Sequence, residues 1–405
     1  MNLLRIASAV AALLPVVLIG PVPARAAAPA LGEIYTALGV DTVPADHVVL
    51  VDVSGSLGAT RYAALRKSLT GFFGSLAAED FVTLIPYGGT ATAVTRQVGH
   101  IPGQLAAGLP GTADGTYADI GAALEKAIAV LDRPGAPPLA TVLLVTGGRH
   151  RPGPGSAYPA VPGPRWTVLT ERAARLDKTF LQAYAVPLSA QPGAGVLRRV
   201  FPQAQVLAPV AADRLAGQLA GPREATRIAK ARSLLAEEVT LPVTVSWPLT
   251  AGGAGRTGAS VRVESRMPHV PLVLENLVVS SDNPDVSVTV PAEPVVLPPG
   301  REITVPLTVD WNAGPVSVAP LRTVEDRAAL RLTATVSSPW TPVLTGDLGL
   351  TPRFTLAGTA GERELSAQRG SLWRWLGALF LLVVALLVGL RIRWVRAVAA
   401  RRRAA

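Results

Sequence analysis

The chain has 405 residues, 49% of them apolar, and a formal charge of +10 with no cysteine. Its length exceeds what one core usually organises, its apolar share excludes a disordered chain, and the missing cysteine excludes disulfides, thiolate metal sites and cysteine nucleophiles. Nine arginines near the two ends, Arg5, Arg25, Arg374, Arg391, Arg393, Arg396, Arg401, Arg402 and Arg403, carry almost all of the net charge. Removing them leaves +1, so no nucleic-acid partner is expected, and the basic tail favours anionic lipid headgroups instead.

In chain order, residues 1–26 have the layout of a secretory signal peptide: Arg5, an apolar stretch, then Ala24 and Ala26 at an Ala-x-Ala cleavage site. Residues 45–221 alternate short apolar runs with helix-period segments, the pattern of an α/β unit. "HVVLVD" reads as a buried strand. In the following "RYAALRKSLTGFFGSLA", Tyr62, Leu65, Leu69, Phe72, Phe73 and Leu76 share one helical face. "FVTLIPYGGTATAVTRQV" reads as a hairpin turning at Gly88 and Gly89, "YADIGAALEKAIAVLD" as a helix, and "TVLLVTGG" as a second buried strand ending at Thr146. The Pro- and Gly-rich loop after it is expected to be partly disordered. Further helix, strand and helix signals run to Leu219, and the order fits a doubly wound, mainly parallel sheet with helices on both faces.

A basic helical linker, 222–238, leads into a region without helical periodicity. Residues 239–357 hold about seven short β-rich runs separated by Pro, Asn-Pro and Pro-Gly turns, which predicts an all-β immunoglobulin-like sandwich with Trp247, Trp311 and Trp340 in its packing. Residues 358–371 read as a polar stalk. Residues 372–392 read as a transmembrane helix: no charge lies between Arg374 and Arg391, and Trp373, Trp375 and Trp394 sit where interfacial aromatic belts belong. The basic tail 393–405 has no acid. This asymmetry predicts a single-pass plasma-membrane protein with its N-terminal domains extracellular and its C-terminus cytoplasmic.

The stretch "DVSGS" ends the first strand, where ligands of open α/β sheets bind. Asp52, Ser54 and Ser56 offer one carboxylate and two hydroxyls at alternating positions, a donor set suited to a hard divalent cation. With the following helix, the loop "DGTYADIGAAL" and the strand "TVLLVTGG", this stretch resembles the von Willebrand factor type A domain over about 45–221. The resemblance implies a metal-ion-dependent adhesion site of Asp52, Ser54, Ser56 and Thr116, holding Mg²⁺, or Mn²⁺ or Ca²⁺, whose open position an acidic side chain of a protein partner completes. Where the family usually has Thr-Asp-Gly, this chain reads Thr146-Gly147-Gly148, so the second acid is missing and weaker metal affinity is expected. Asp114 or Asp119 could compensate, although Asp119 is better placed to cap the following helix.

The implied function is a cell-surface, metal-dependent adhesion module; the alternative is a metal-independent scaffold or assembly subunit of a membrane complex. No enzyme is expected. His47, His100, His150 and His269 form no His-Glu-x-x-His or nucleophile-elbow pattern and read as solvated surface residues. The sequence sets no oligomeric state.

Overall fold

In the computed structural model, residues 28–402 are described except 100, 191–192, 249–250, 315–321 and 371; the expected signal peptide and residues 403–405 of the tail lie outside this set. The first unit comprises α1 (Leu31–Leu38), β1 (Asp46–Asp52), α2 (Ala59–Phe73), β2 (Phe81–Tyr87), β3 (Val94–Gln97), α3 (Ile120–Leu131) and β4 (Leu139–Thr146). It continues through α4 (Pro164–Ala174), β5 (Phe180–Pro187), α5 (Leu197–Val200), β6 (Gln205–Val206), α6 (Leu215–Gln218) and α7 (Ala220–Leu235). Its six-stranded sheet has the order β3-β2-β1-β4-β5-β6, parallel except for the β2–β3 hairpin.

β1 is central, and all seven of its residues are buried. Its side chains alternate between two cores: Val48 and Leu50 pack with α3 and α4, Val49 and Val51 with α2. A strand covered on both faces needs a continuous apolar run, which is what "VVLV" supplies.

The Pro- and Gly-rich loop, expected to be partly disordered, is instead fastened to this core. Tyr158 and Trp166 are buried, and Tyr158 stands where a side chain at position 121 would be, with its Cγ 2.3 Å from a Cβ built on Gly121. His150, expected as a solvated surface residue, is half-buried. Its Nδ1 accepts from the Ile120 N–H at 3.2 Å and its Nε2 lies 2.7 Å from the Tyr158 carbonyl, joining the loop to the start of α3.

The second unit comprises β7 (Val243–Ser246), β8 (Gly255–Ser265), β9 (Leu272–Ser281), β10 (Val286–Thr289), β11 (Val295–Leu297), β12 (Glu302–Trp311), β13 (Arg322–Ser337), α8 (Thr341–Gly346), β14 (Leu356–Ala357) and β15 (Ala360–Arg369). They form two sheets, β10-β12-β8-β7-β14 and β11-β9-β13-β15, that share one core; β14 runs parallel to β7. Trp311 and Trp340 are buried in this core and Trp247 packs against it.

Two features depart from expectation. Residues 358–371, read as a stalk, contain β15, which pairs antiparallel with β13 from Arg322↔Arg369 to Arg331↔Ala360. Leu365 is its one large buried apolar side chain and Arg363 is buried beside it, so hydropathy could not reveal a strand held by backbone pairing. Helix α1, which was not anticipated, joins α7 in the second unit's core through Ile34, Tyr35, Leu38, Ala231 and Leu235. From α1, which lies against the second unit, the chain therefore builds the α/β unit and returns along α7. Finally α9 (Leu372–Arg402) follows β15, and within it Trp375–Ala397 is long and apolar enough to cross a membrane, with none of that stretch buried.

His47, also expected at the surface, is buried at the start of β1, near a buried ion pair between Lys230 of α7 and Asp80, 2.6 Å apart. Burial alone would raise the Asp80 carboxyl, but His47 and Lys230 outweigh it and hold it below its ordinary value of 3.8. A depressed carboxyl adds stability that is present above its unfolded value and lost as pH falls through the folded one. Asp80→Asn leaves Lys230 buried without its counter-charge and should cost about 3–5 kcal/mol at neutral pH. Urea unfolding should show that cost at pH 7 and a shrinking difference from the parent chain below about pH 4.

Candidate cation and partner site at the end of the central strand

The sheet order reverses between β1 and β4, since the chain moves from β1 to β2 on one side and later places β4 on the other. The crevice beyond their carboxyl ends is where an open α/β sheet receives ligands. Asp52, fully buried, ends β1. Its Oδ1 accepts from the Ser54 N–H at 2.9 Å and its Oδ2 from the Gly147 N–H beyond β4 at 3.1 Å, so the carboxylate spans the crevice. Asp52 also bears on a neighbour: burial, and then its negative charge, push the enclosed Tyr87 hydroxyl well above the usual phenol range.

After β1 the loop is tied to the segment before α3. Gly55 N–H donates to the Gly115 carbonyl at 2.8 Å, and Gly115 N–H donates to the Val53 carbonyl at 3.2 Å. The approach is close: a Cβ at position 115 would lie 3.2 Å from the Val53 oxygen. A single 3-10 turn, Gly55–Leu57, then leads through Gly58, whose φ of +69° suits glycine, into α2. This turn brings the hydroxyls of Ser54 and Ser56 to 2.7 Å from each other.

Of the four residues expected at the site, Asp52, Ser54 and Ser56 are thus assembled directly. Thr116 is exposed, one residue beyond the Gly115 contact, and its carbonyl accepts from the Arg151 guanidinium. Neither spare acid joins them. Asp119 is buried as the N-cap of α3, accepting from the Ala122 N–H at 3.0 Å and from the Ser156 hydroxyl, while Asp114 is exposed and accepts from Thr112 Oγ1 at 3.2 Å.

The two serine hydroxyls, hydrogen-bonded to each other, have a spacing that suits a small hard cation, and the set falls short in charge. Two oxygens ligating an octahedral ion side by side, each at 2.0–2.1 Å, lie about 2.9 Å apart, close to the serine spacing. Asp52 is the one carboxylate there, and among the described residues no group of three or more His, Cys, Asp or Glu gathers to hold a metal.

Two further residues belong to the site and carry no motif. A Cβ at Gly147 would lie 2.4 Å from Leu57 Cδ2 and 3.0 Å from its Cγ, so buried Leu57 fills the volume of the missing acid. Arg151 brings a guanidinium to the loop that holds Thr116. The one sequence signal for Leu57 is the glycine itself, whose vacated volume some neighbour must occupy.

Residues 47–150 match the von Willebrand factor type A domain family. No curated protein matches the chain. Among solved structures, it is similar to a von Willebrand factor type A protein from Catenulispora acidiphila, at 14% identity over 80% of this chain and 66% of that one, with a TM-score of 0.34. It is also similar to the pilus adhesin SpaC from Lactobacillus rhamnosus GG, at 13% identity over 81% of this chain and 44% of that one, with a TM-score of 0.34. A third is the PilB minor pilin from Streptococcus sanguinis, at 11% identity over 46% of this chain and 62% of that one, with a TM-score of 0.32. The chain thus spans less than two thirds of the length of each.

Gly147→Asp alone should not restore a stronger site. The new side chain collides with Leu57 and should destabilise the unit by roughly 1–3 kcal/mol. Gly147→Asp combined with Leu57→Ala should regain part of that loss relative to the two single changes added together, as a double-mutant cycle in urea would measure.

Proposed function

We propose that this chain is a membrane-anchored surface protein whose α/β unit recognises an acidic group of a protein partner beyond the carboxyl end of β1, with a divalent cation held between Asp52, Ser54, Ser56 and Thr116. The observation that carries this reading is the pair of serine hydroxyls 2.7 Å apart beside the buried Asp52 carboxylate. Mg²⁺, or Mn²⁺ or Ca²⁺, would supply positive charge and an open position for the partner's carboxylate. The chain's own residues do the rest: Asp52 provides the balancing charge, the backbone N–H groups of Ser54 and Gly147 hold that carboxylate in place, and the serines offer neutral oxygens. The work is recognition, with no bond broken. One carboxylate makes the expected affinity weak, because charge count tunes cation binding. On this reading α9 anchors the protein in the plasma membrane, and its tail arginines keep the C-terminus cytoplasmic.

A second reading, metal-free docking within a membrane assembly, is favoured by Leu57 in the place of the second acid and by the Arg151 guanidinium at the Thr116 carbonyl. There the fixed arginine would take the cation's role toward an acidic partner.

Titration of Mg²⁺ and Mn²⁺ into the full-length protein, followed by calorimetry and melting temperature, separates the two. Saturable binding with a rise in melting temperature that disappears in Asp52→Ala is the expected result. Equal heats from parent and variant would reject the cation reading and leave metal-free docking.

A further inference from the structure

At the opposite end of the sheet, the start of β1, the turn before β2 and helix α7 line a half-open cavity of about 220 Å³. Arg223, Arg227 and Lys230 line it from α7. Their spacing of four and then three residues puts them on one face of that helix. His47 lines it from β1, some five residues and about 17 Å along the strand from Asp52.

The cavity holds more hydrogen-bond donors than the protein can satisfy. Asp80, its buried carboxylate, already accepts from the Ala45 N–H at 3.0 Å, the Ala77 N–H at 3.1 Å and Lys230 Nζ at 2.6 Å, with His47 Nε2 3.5 Å away. A carboxylate has about four lone-pair sites, so with three hydrogen bonds accepted Asp80 has about one left for the remaining donors. Lys230, 1% exposed, has two more N–H bonds, and Asp80 is the one hydrogen-bond partner of its ammonium among the described residues. His47, also 1% exposed, has neither ring nitrogen hydrogen-bonded, and the buried Nε of Arg223 and of Arg227 have no acceptor among the described residues.

The charges are equally unbalanced. Three cations face two carboxylates, and the second, Asp41, pairs with Arg227 at 3.7 Å while its side chain is 68% exposed. Arg227 is further engaged over the Tyr35 ring, 4.5 Å from its centroid. Arg223 has no ion pair among the described residues. Burying unpaired donors and positive charge costs free energy that a ligand rich in acceptors would recover.

We propose that this cavity binds a small oxyanion, a phosphate or a carboxylate, through Arg223, Lys230 and His47. A bound anion would accept from the strand and from the helix at once, fastening α7 to the base of the sheet. Because α7 carries the chain into the second unit, occupancy would stiffen the junction between the units. The site is separate from the strand-end crevice and does not depend on what that crevice binds.

The test uses the full-length protein in detergent micelles, titrated with inorganic phosphate and separately with acetate at constant ionic strength set by chloride, read by calorimetry and melting temperature. Saturable binding of one anion is expected. It should be weakened roughly tenfold in Arg223→Gln, which removes a charge-assisted contact without breaking an ion pair of the described residues. Arg223→Lys should retain most of the affinity. Saturation by phosphate alone assigns a phosphate ligand, and saturation by acetate alone assigns a carboxylate. If neither anion saturates beyond chloride, or if Arg223→Gln binds as tightly as the parent, the proposal is wrong.

Discussion

The constraint on which the structure depends is the complete burial of β1. Its seven residues lie between β2 and β4 with a core on either face, so the interior of the strand can carry no chemistry. Polar groups are confined to its ends, and both ends are busy. At the amino end Arg133 grips Asp46 through two bonds of 2.7 and 2.8 Å, and His47 faces the Asp80–Lys230 pair. At the carboxyl end Asp52 holds the two sides of the crevice together. One apolar run thus positions two polar sites at opposite poles of the unit.

The strand-end site shows how backbone groups can stand in for a side chain. Without an acid after Thr146, the Gly147 N–H turns to Asp52 and Leu57 closes the space behind it. The result is a site with one negative charge, already partly satisfied by two N–H groups. Arg151 sits close by at the Thr116 carbonyl. These features lower the attraction for a divalent ion, which is why cation titration and Asp52→Ala distinguish the two functional readings.

The units are joined by more than a linker. Helices α1 and α7, which flank the α/β unit in sequence, contribute Ile34, Tyr35, Leu38, Ala231 and Leu235 to the core of the two-sheet unit. The other face of α7 supplies Lys230 to the base of the sheet. α7 therefore belongs to both cores, and the cavity beside it lies where a ligand would act on their connection. At the far end β15 stops at Arg369 and α9 begins at Leu372, so only a short segment of sequence separates the two-sheet unit from the apolar helix.

Periodicity alone made the α/β order, the central strand and the apolar C-terminal helix legible, because each depends on where apolar residues fall along the chain. "DVSGS" marked the strand end for the same reason: an apolar run that stops at a carboxylate is a local signal. The sequence could not reveal β15, whose single large apolar residue, Leu365, is too weak a pattern and whose place depends on pairing with β13. Nor could it bring out α1, eight residues whose apolar face acquires meaning only against α7. Leu57 in the volume left by Gly147, and Lys230 facing Asp80 across 150 positions of chain, are long-range packing and charge relations. Which residues bear charge, hydroxyls and apolar surface is written along the chain; which of them meet follows from the packed fold, because burial and pairing are properties of neighbours in space.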